Sequence, residues 1–151
     1  MSKLCSTTIL IILENLFVME KFEFSTIVRL IFDKDCNKST LKRIYNDKTG
    51  CNRGKSTEET RKMGVYALYE NDNLMKIGQA ADRNGVFHRV SQYYRGRDGK
   101  CSEINTNNRD NITIEYVNFD TVEDCWSAER LLQGIAHKMG EAMPWEKKGR
   151  S

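Results

Sequence analysis

The sequence predicts an α/β protein of the α+β type, with a small antiparallel three-stranded sheet flanked by helices and a helical N-terminal extension. Three stretches rich in strand-forming residues carry this prediction, at 65–69, 74–77 and 112–117. The first two stretches are separated only by a cluster of polar turn residues, Glu70 to Asn73. This short separation is typical of a hairpin. Other apolar residues recur at helical spacing, and a chain of 151 residues is long enough for one domain with its own core.

The N-terminal part, residues 1–55, is predicted to be mainly helical. An apolar run between Thr7 and Met19 is interrupted by polar residues and is too short to span a bilayer. We therefore expect a helix that packs on the body or on a partner chain, and not a secretory signal. Ser25 is placed to cap a further helix that runs to Phe32.

A second short helix is predicted from Ser39 to Tyr45, after a polar turn from Asp33 to Lys38. Two interpretations of this helix pair remain open. It can be a helix-turn-helix DNA reader, or it can be a helical cap on the sheet, which is the commoner arrangement because nothing identifies a recognition helix. Residues 49–61 are rich in Gly, Ser, Thr and Asn and are expected to form an exposed loop.

The third strand and a long last helix complete the predicted domain, residues 62–146, which a basic tail at 147–151 follows. Alternate apolar residues of the third strand should share one face: Ile112, Ile114 and Tyr116. The last helix is expected to begin at Asp120 or Thr121 and to end near Pro144. Its large apolar side chains should pack on the sheet: Trp126, Leu131, Leu132, Ile135 and Met139.

Composition narrows the class of function. The net charge of +3 permits nucleic-acid binding through local patches without requiring it. The five cysteines are scattered and form no Cys-x-x-Cys pair, which argues against a structural zinc site or a disulfide framework and for free thiols in a reducing cytoplasm. We expect a cytoplasmic protein with no membrane partner and no small-molecule cofactor.

Two tripeptides lie on the strands of the predicted hairpin, Gly64-Val65-Tyr66 and Lys76-Ile77-Gly78. On the helix that follows, Arg89 and Tyr93 are four residues apart and therefore share one face. A phenol, an amine, a guanidinium and a second phenol would then meet at one end of a small sheet. Those groups suit a phosphodiester.

These elements, together with Glu129 in the last helix, resemble the GIY-YIG nuclease superfamily, which is named for its two strand-borne tripeptides. The first tripeptide is a conservative variant, and the second carries lysine where the family usually has tyrosine. The resemblance implies a divalent-metal-dependent DNA endonuclease of restriction, homing or phage-associated type. Its products would carry 5′-phosphate and 3′-hydroxyl ends.

By this resemblance, Tyr66 is the general base, Arg89 holds the phosphate, and Tyr93 hydrogen-bonds a phosphate oxygen or positions the water. Glu129 would bind one Mg²⁺ or Mn²⁺ per active site, since hard cations prefer oxygen ligands. Lys76 is interpreted as part of a variant active site, where a cation near Tyr66 lowers the pKa of the phenol. A degenerate site is the alternative.

Further DNA contacts are expected from basic residues that flank the site: Arg83, His88, Arg95, Arg97 and Lys100. The late asparagine of many family members is missing, so His137 or Lys138 is a candidate for that substrate contact. A homodimer is left open, because a double-strand cut requires a second protomer or a second event. Two other functions also remain open, a catalytically inactive DNA-binding module and a protein-interaction factor built on the same fold.

Overall fold

The computed structural model describes residues 21–46, 59–82, 84–96 and 103–146. The predicted helix from Thr7 to Met19 and the basic tail lie outside the described residues, as does most of the loop predicted at 49–61. Within the described ranges, no helix is both long enough and apolar enough to cross a membrane.

The architecture is α+β, as predicted, with helices on both sides of an antiparallel sheet. In chain order the elements are α1 (Phe24–Phe32), β1 (Asn37–Thr40), α2 (Leu41–Asn46), β2 (Gly64–Glu70), β3 (Asn73–Ala80), α3 (Gly85–Arg95), a 3₁₀ turn (Arg109–Asn111), β4 (Ile112–Asn118) and α4 (Val122–Lys138). The three predicted strands are present as β2, β3 and β4. A fourth strand, β1, joins them in the order β1-β4-β2-β3.

Strand β1 was not expected, because the sequence predicted a turn and the start of a helix in this region. It consists of polar residues and forms one edge of the sheet, so it lacks the alternating apolar pattern of a buried strand. It pairs with β4, and Lys38 opposite Glu115 adds an ion pair of 3.2 Å. The helix-turn-helix interpretation is wrong, since a strand of the sheet lies between α1 and α2. The helical cap is the observed arrangement, with Leu41 and Ile44 of α2 buried.

The sheet separates two apolar cores, and β2 contributes to both. Val65 and Ala67 point to the first core, which α1 and α4 cover. Tyr66 and Leu68 point to the second core, which α2 and α3 cover. The helix α1 begins at Phe24, before the predicted cap Ser25. Residues 21–46 are thus built into the same sheet and cores as the hairpin.

The helix α4 begins at Val122 and is capped by Thr121, one of the two predicted caps, whose hydroxyl accepts a hydrogen bond from the Asp124 backbone N–H. It ends at Lys138 and not near Pro144, and Gly140 follows in the left-handed region at φ +88°. A glycine can stop a helix by adopting this conformation, so no proline is needed at that point.

The buried stripe of α4 differs from the one expected. Small and medium side chains fill it: Cys125, Ala128, Leu132 and Ala136. Ile135 and Met139 are partly buried against the same core, as predicted. Trp126 and Leu131 are 52% and 39% exposed, so the expectation that they pack on the sheet is wrong. At 100° per residue, both lie away from the line of the buried residues.

Strand β3 is the second edge of the sheet, and other parts of the chain cover it. A bulge between Leu68 and Tyr69 leaves Met75 as an extra residue, and its carbonyl accepts a hydrogen bond of 3.0 Å from the Trp145 backbone N–H. Two residues further along β3, the Ile77 carbonyl accepts a hydrogen bond of 2.9 Å from the Gln133 side chain. Because exposed strand edges invite mispairing, these bonds protect β3 and hold it in place.

The glycine of the first tripeptide allows a close approach between β2 and β4. A Cβ atom added at Gly64 would lie 2.5 Å from the Val117 carbonyl oxygen, so we expect Gly64→Ala to lower the free energy of unfolding by roughly 1–3 kcal/mol. Gly134, in the middle of α4, has open space where a Cβ would stand, and Gly134→Ala should raise the same quantity by about 0.5–1 kcal/mol. Guanidinium denaturation of both variants measures the difference, and effects of the same sign would contradict this account.

Candidate active site

The two predicted phenols meet in the second core. Tyr66 lies on β2 and Tyr93 on α3, and their side chains are only 2% and 4% exposed. Their hydroxyl groups are hydrogen-bonded to each other, and either can be the donor. The rings meet edge to face, with centroids 6.0 Å apart and an interplanar angle of 72°. The two phenols that the sequence placed on one hairpin and one helix are therefore in contact.

Gly78 of the second tripeptide makes room for this pair. It lies directly opposite Tyr66 in the β2–β3 pairing, and a Cβ atom there would be 2.5 Å from the Tyr66 hydroxyl oxygen. Lys76 lies opposite Leu68, two residues before Gly78, so it belongs to the same face of the sheet. The lysine is partly buried.

Arg89 stands one turn before Tyr93 on α3, and its side chain is 18% exposed. Its Nη2 atom is 3.9 Å from a carboxylate oxygen of Asp82. Its Nε atom is buried and has no hydrogen-bond partner in the described part of the chain. A buried donor without a partner is unfavourable, and a ligand that accepts a hydrogen bond there would remove the cost.

The environment of Tyr66 raises the pKa of its phenol well above the ordinary value of about 10. Burial is the main cause, followed by Tyr93, while Arg89 lowers the pKa and Glu129 raises it. Tyr66 is therefore a neutral phenol in the protein alone near pH 7. The largest lowering effect comes from Arg89, and the role expected of Lys76 stays a prediction.

Glu129 approaches the site from the other side of the sheet. It is partly buried on α4, one turn before Gln133, whose bond to Ile77 places this side of α4 along the edge of β3. The effect of Glu129 on the Tyr66 pKa puts its carboxylate within electrostatic reach of the phenol. The described residues contain no cluster of three or more His, Cys, Asp or Glu that could enclose a metal ion.

A single carboxylate is nevertheless enough protein ligand for Mg²⁺. Mg²⁺ commonly binds one or two carboxylates and completes its shell with water and substrate phosphate oxygens. Glu129, which is partly buried and raises the pKa of the Tyr66 phenol, is a candidate for such a carboxylate. One carboxylate is compatible with Mg²⁺ or Mn²⁺ whose remaining ligands are water and phosphate oxygens, and the metal site stays a prediction.

The outer DNA contacts predicted from the sequence stand as follows. His88 lies on α3 and is partly buried, and Arg95 is exposed in the last turn of α3 with Nε bonded to the Ser91 carbonyl. His137 lies 3.3 Å from Glu146, and Lys138 is exposed beside it. Three others lie outside the described residues: Arg83, Arg97 and Lys100.

Two residues near the site were not singled out from the sequence. Asp82 lies in the loop before α3, and nothing in the local pattern distinguished it from other surface carboxylates. Gln133 carried one signal, its spacing of four residues from Glu129, which puts both side chains on one side of a helix. Comparison of the chain with protein-family models, with curated proteins and with solved structures gives no match.

The raised pKa of Tyr66 predicts a pH dependence of stability. Below about pH 10 the Tyr66 phenol is protonated in both the folded and the unfolded chain. Its contribution to the free energy of unfolding is then fully present. Above that pH the unfolded chain loses the proton while the folded chain keeps it, so stability falls by up to about 1.4 kcal/mol per pH unit from this residue. Tyr66→Phe removes this slope, whatever its effect at neutral pH.

Guanidinium denaturation at about pH 8 and about pH 11 tests this sign in both proteins. Tyr69, whose pKa burial also raises, is present in both and cancels from the comparison. Parallel losses of stability in the two proteins would contradict the pKa assigned to Tyr66.

Proposed function

We propose that this protein is a divalent-metal-dependent DNA endonuclease that hydrolyses phosphodiester bonds in the manner of the GIY-YIG nucleases. The observation that carries the proposal is the arrangement of Arg89 beside the hydrogen-bonded phenols of Tyr66 and Tyr93, with Glu129 within electrostatic reach. It supports a site where one phosphate contacts a guanidinium, a phenol and a carboxylate-bound cation.

Arg89 is suited to bind the phosphate. Its guanidinium is permanently charged and planar, and it can donate two hydrogen bonds to one phosphate. Asp82 touches it at 3.9 Å from one side, while the buried Nε remains without a partner among the described residues. A phosphate oxygen that reached that atom would satisfy the donor.

Tyr66 is proposed to accept the proton of the attacking water, with Tyr93 as its helper. A phenolate at Tyr66 would be stabilised by a hydrogen bond that the Tyr93 hydroxyl donates and by the charge of Arg89. Glu129 would hold a divalent cation, whose positive charge would lower the pKa of the phenol and stabilise the leaving oxygen. Because burial keeps Tyr66 neutral in the protein alone, we expect the base to become competent only when substrate and cation are bound.

A second candidate function is DNA binding without cleavage. The near-complete burial of Tyr66 favours it, because a base must reach the proton that it removes. Lysine in place of tyrosine at position 76 points in the same direction. In that case DNA binding would persist and weaken steeply with salt, but no strand would be cut.

A supercoiled-plasmid assay with Mg²⁺, Mn²⁺ or EDTA distinguishes the two functions. The protein should nick or linearise the plasmid only with a divalent cation. Arg89→Ala and Glu129→Gln should each lower the rate at least about 100-fold, as losses of single charge-stabilising groups do in other enzymes. The matched control is Arg29→Ala, which removes an exposed arginine of α1, on the opposite face of the sheet from Arg89, and should leave the rate unchanged.

The two remaining outcomes assign the alternatives. Intact plasmid with every cation, together with salt-sensitive DNA binding, would contradict the nuclease and support the inactive binding module. Absence of both cutting and binding at low salt would contradict a role on DNA and leave the protein-interaction factor.

A further inference from the structure

Trp126 is the most exposed large apolar side chain in the described part of the chain. The other tryptophan, Trp145, is buried in the second core at 7% exposure. A single exposed apolar residue is common on protein surfaces and has no meaning by itself. Trp126 is of interest because of its position relative to the proposed site.

Trp126 lies on the side of α4 that leads to the site. It precedes Glu129 by three residues and Arg130 by four, so the three side chains are neighbours on the helix surface. Two turns after Trp126, on the same side, Gln133 bonds to Ile77 at the edge of β3. This side of α4 therefore contacts the β3 edge at Gln133, and Trp126 lies on it one helical turn before Glu129.

One neighbour of Trp126, Arg130, can bind the phosphate of a nucleotide. The carboxylates of Glu123 and Glu129 also lie beside the indole on the helix. Arg130 is exposed, and no ion pair ties its guanidinium to another described residue. An exposed indole beside a cation offers a stacking face for a base and a charge for the adjoining phosphate, which is how proteins hold single-stranded nucleic acid. Leu131 is also exposed on α4, but it lies on a different side of the helix from Glu129. Its side chain has no aromatic ring on which a base could stack.

We propose that Trp126 is a base-stacking site, which holds an unpaired nucleobase next to the phosphate bound at Arg89 and Glu129. This inference rests on the proposed function and defines its substrate class. Bases in an intact duplex stack on each other, and a base becomes available to an aromatic side chain when it is single-stranded or turned out of the helix. The preferred substrate is therefore DNA with unpaired nucleotides at the scissile phosphate.

The two tryptophans make the test direct, because Trp145→Phe leaves Trp126 as the sole indole. This variant is titrated in EDTA with a dye-labelled single-stranded oligonucleotide and with the matching blunt duplex. Tryptophan emission and dye anisotropy are followed together. We expect quenching of Trp126 by the single strand in step with anisotropy, and weaker binding with less quenching for the duplex. If Trp145→Phe fails to fold, the difference between wild-type and Trp126→Phe emission serves instead.

Variants of α4 supply the second measurement. Trp126→Ala should weaken binding of the single strand about 5- to 150-fold, the range expected for loss of one stacked base. Leu131→Ala, the matched control, removes an exposed apolar side chain from the same helix and should leave binding unchanged.

Three outcomes would overturn the stacking site, and they differ in what they mean for the nuclease. Oligonucleotide binding without emission change, unaffected by Trp126→Ala, overturns stacking while leaving the proposed function intact. A protein-concentration-dependent emission change without DNA, with a dimer in sedimentation, assigns Trp126 to self-association instead. Absence of DNA binding at low salt overturns stacking and the proposed function together.

Discussion

The hydrogen bond between the buried hydroxyls of Tyr66 and Tyr93 is the constraint on which the rest of the site depends. Two phenols removed from water lose their solvent hydrogen bonds, and each is the partner that the other needs. The pair requires α3 to lie over β2, and it requires the absence of a side chain at Gly78. Once Tyr93 is placed, Arg89 follows one turn earlier on the same helix, so one buried contact sets the position of the guanidinium.

The site also depends on the edge of the sheet, because its members come from both faces. The phenols and Arg89 belong to the α3 face, whereas Glu129 is carried by α4, which packs on the other face. Strand β3 is the edge strand nearest to this site, and the hydrogen bond from Gln133 to its backbone attaches α4 to that edge. Charge then couples the two sides, since Glu129 raises the Tyr66 pKa and Arg89 lowers it.

The sequence predicted best where the determining interactions are local. The β2–β3 hairpin, β4 and the Thr121 cap follow from alternation, turn residues and spacing within a few positions. Strand β1 was not predictable from local pattern, because its polar residues form a strand only through pairing with β4, which is distant in the sequence. The sequence places Trp126 in the core wrongly, because apolar character alone does not show which side of a helix is covered. The electrostatic effect of Glu129 on Tyr66 depends on the tertiary packing of α4, so no local pattern in the sequence could predict it.

If these groups together hydrolyse DNA, the chemistry of the cut ends is the most direct test of it. Nicked plasmid made by the protein with Mg²⁺ is purified and incubated with DNA ligase, beside a reaction containing the Glu129→Gln protein. Hydrolysis that leaves a 5′-phosphate and a 3′-hydroxyl predicts nicks that ligase seals, and no nicks with the variant. Nicks that resist sealing, or that the variant produces equally well, would contradict the account.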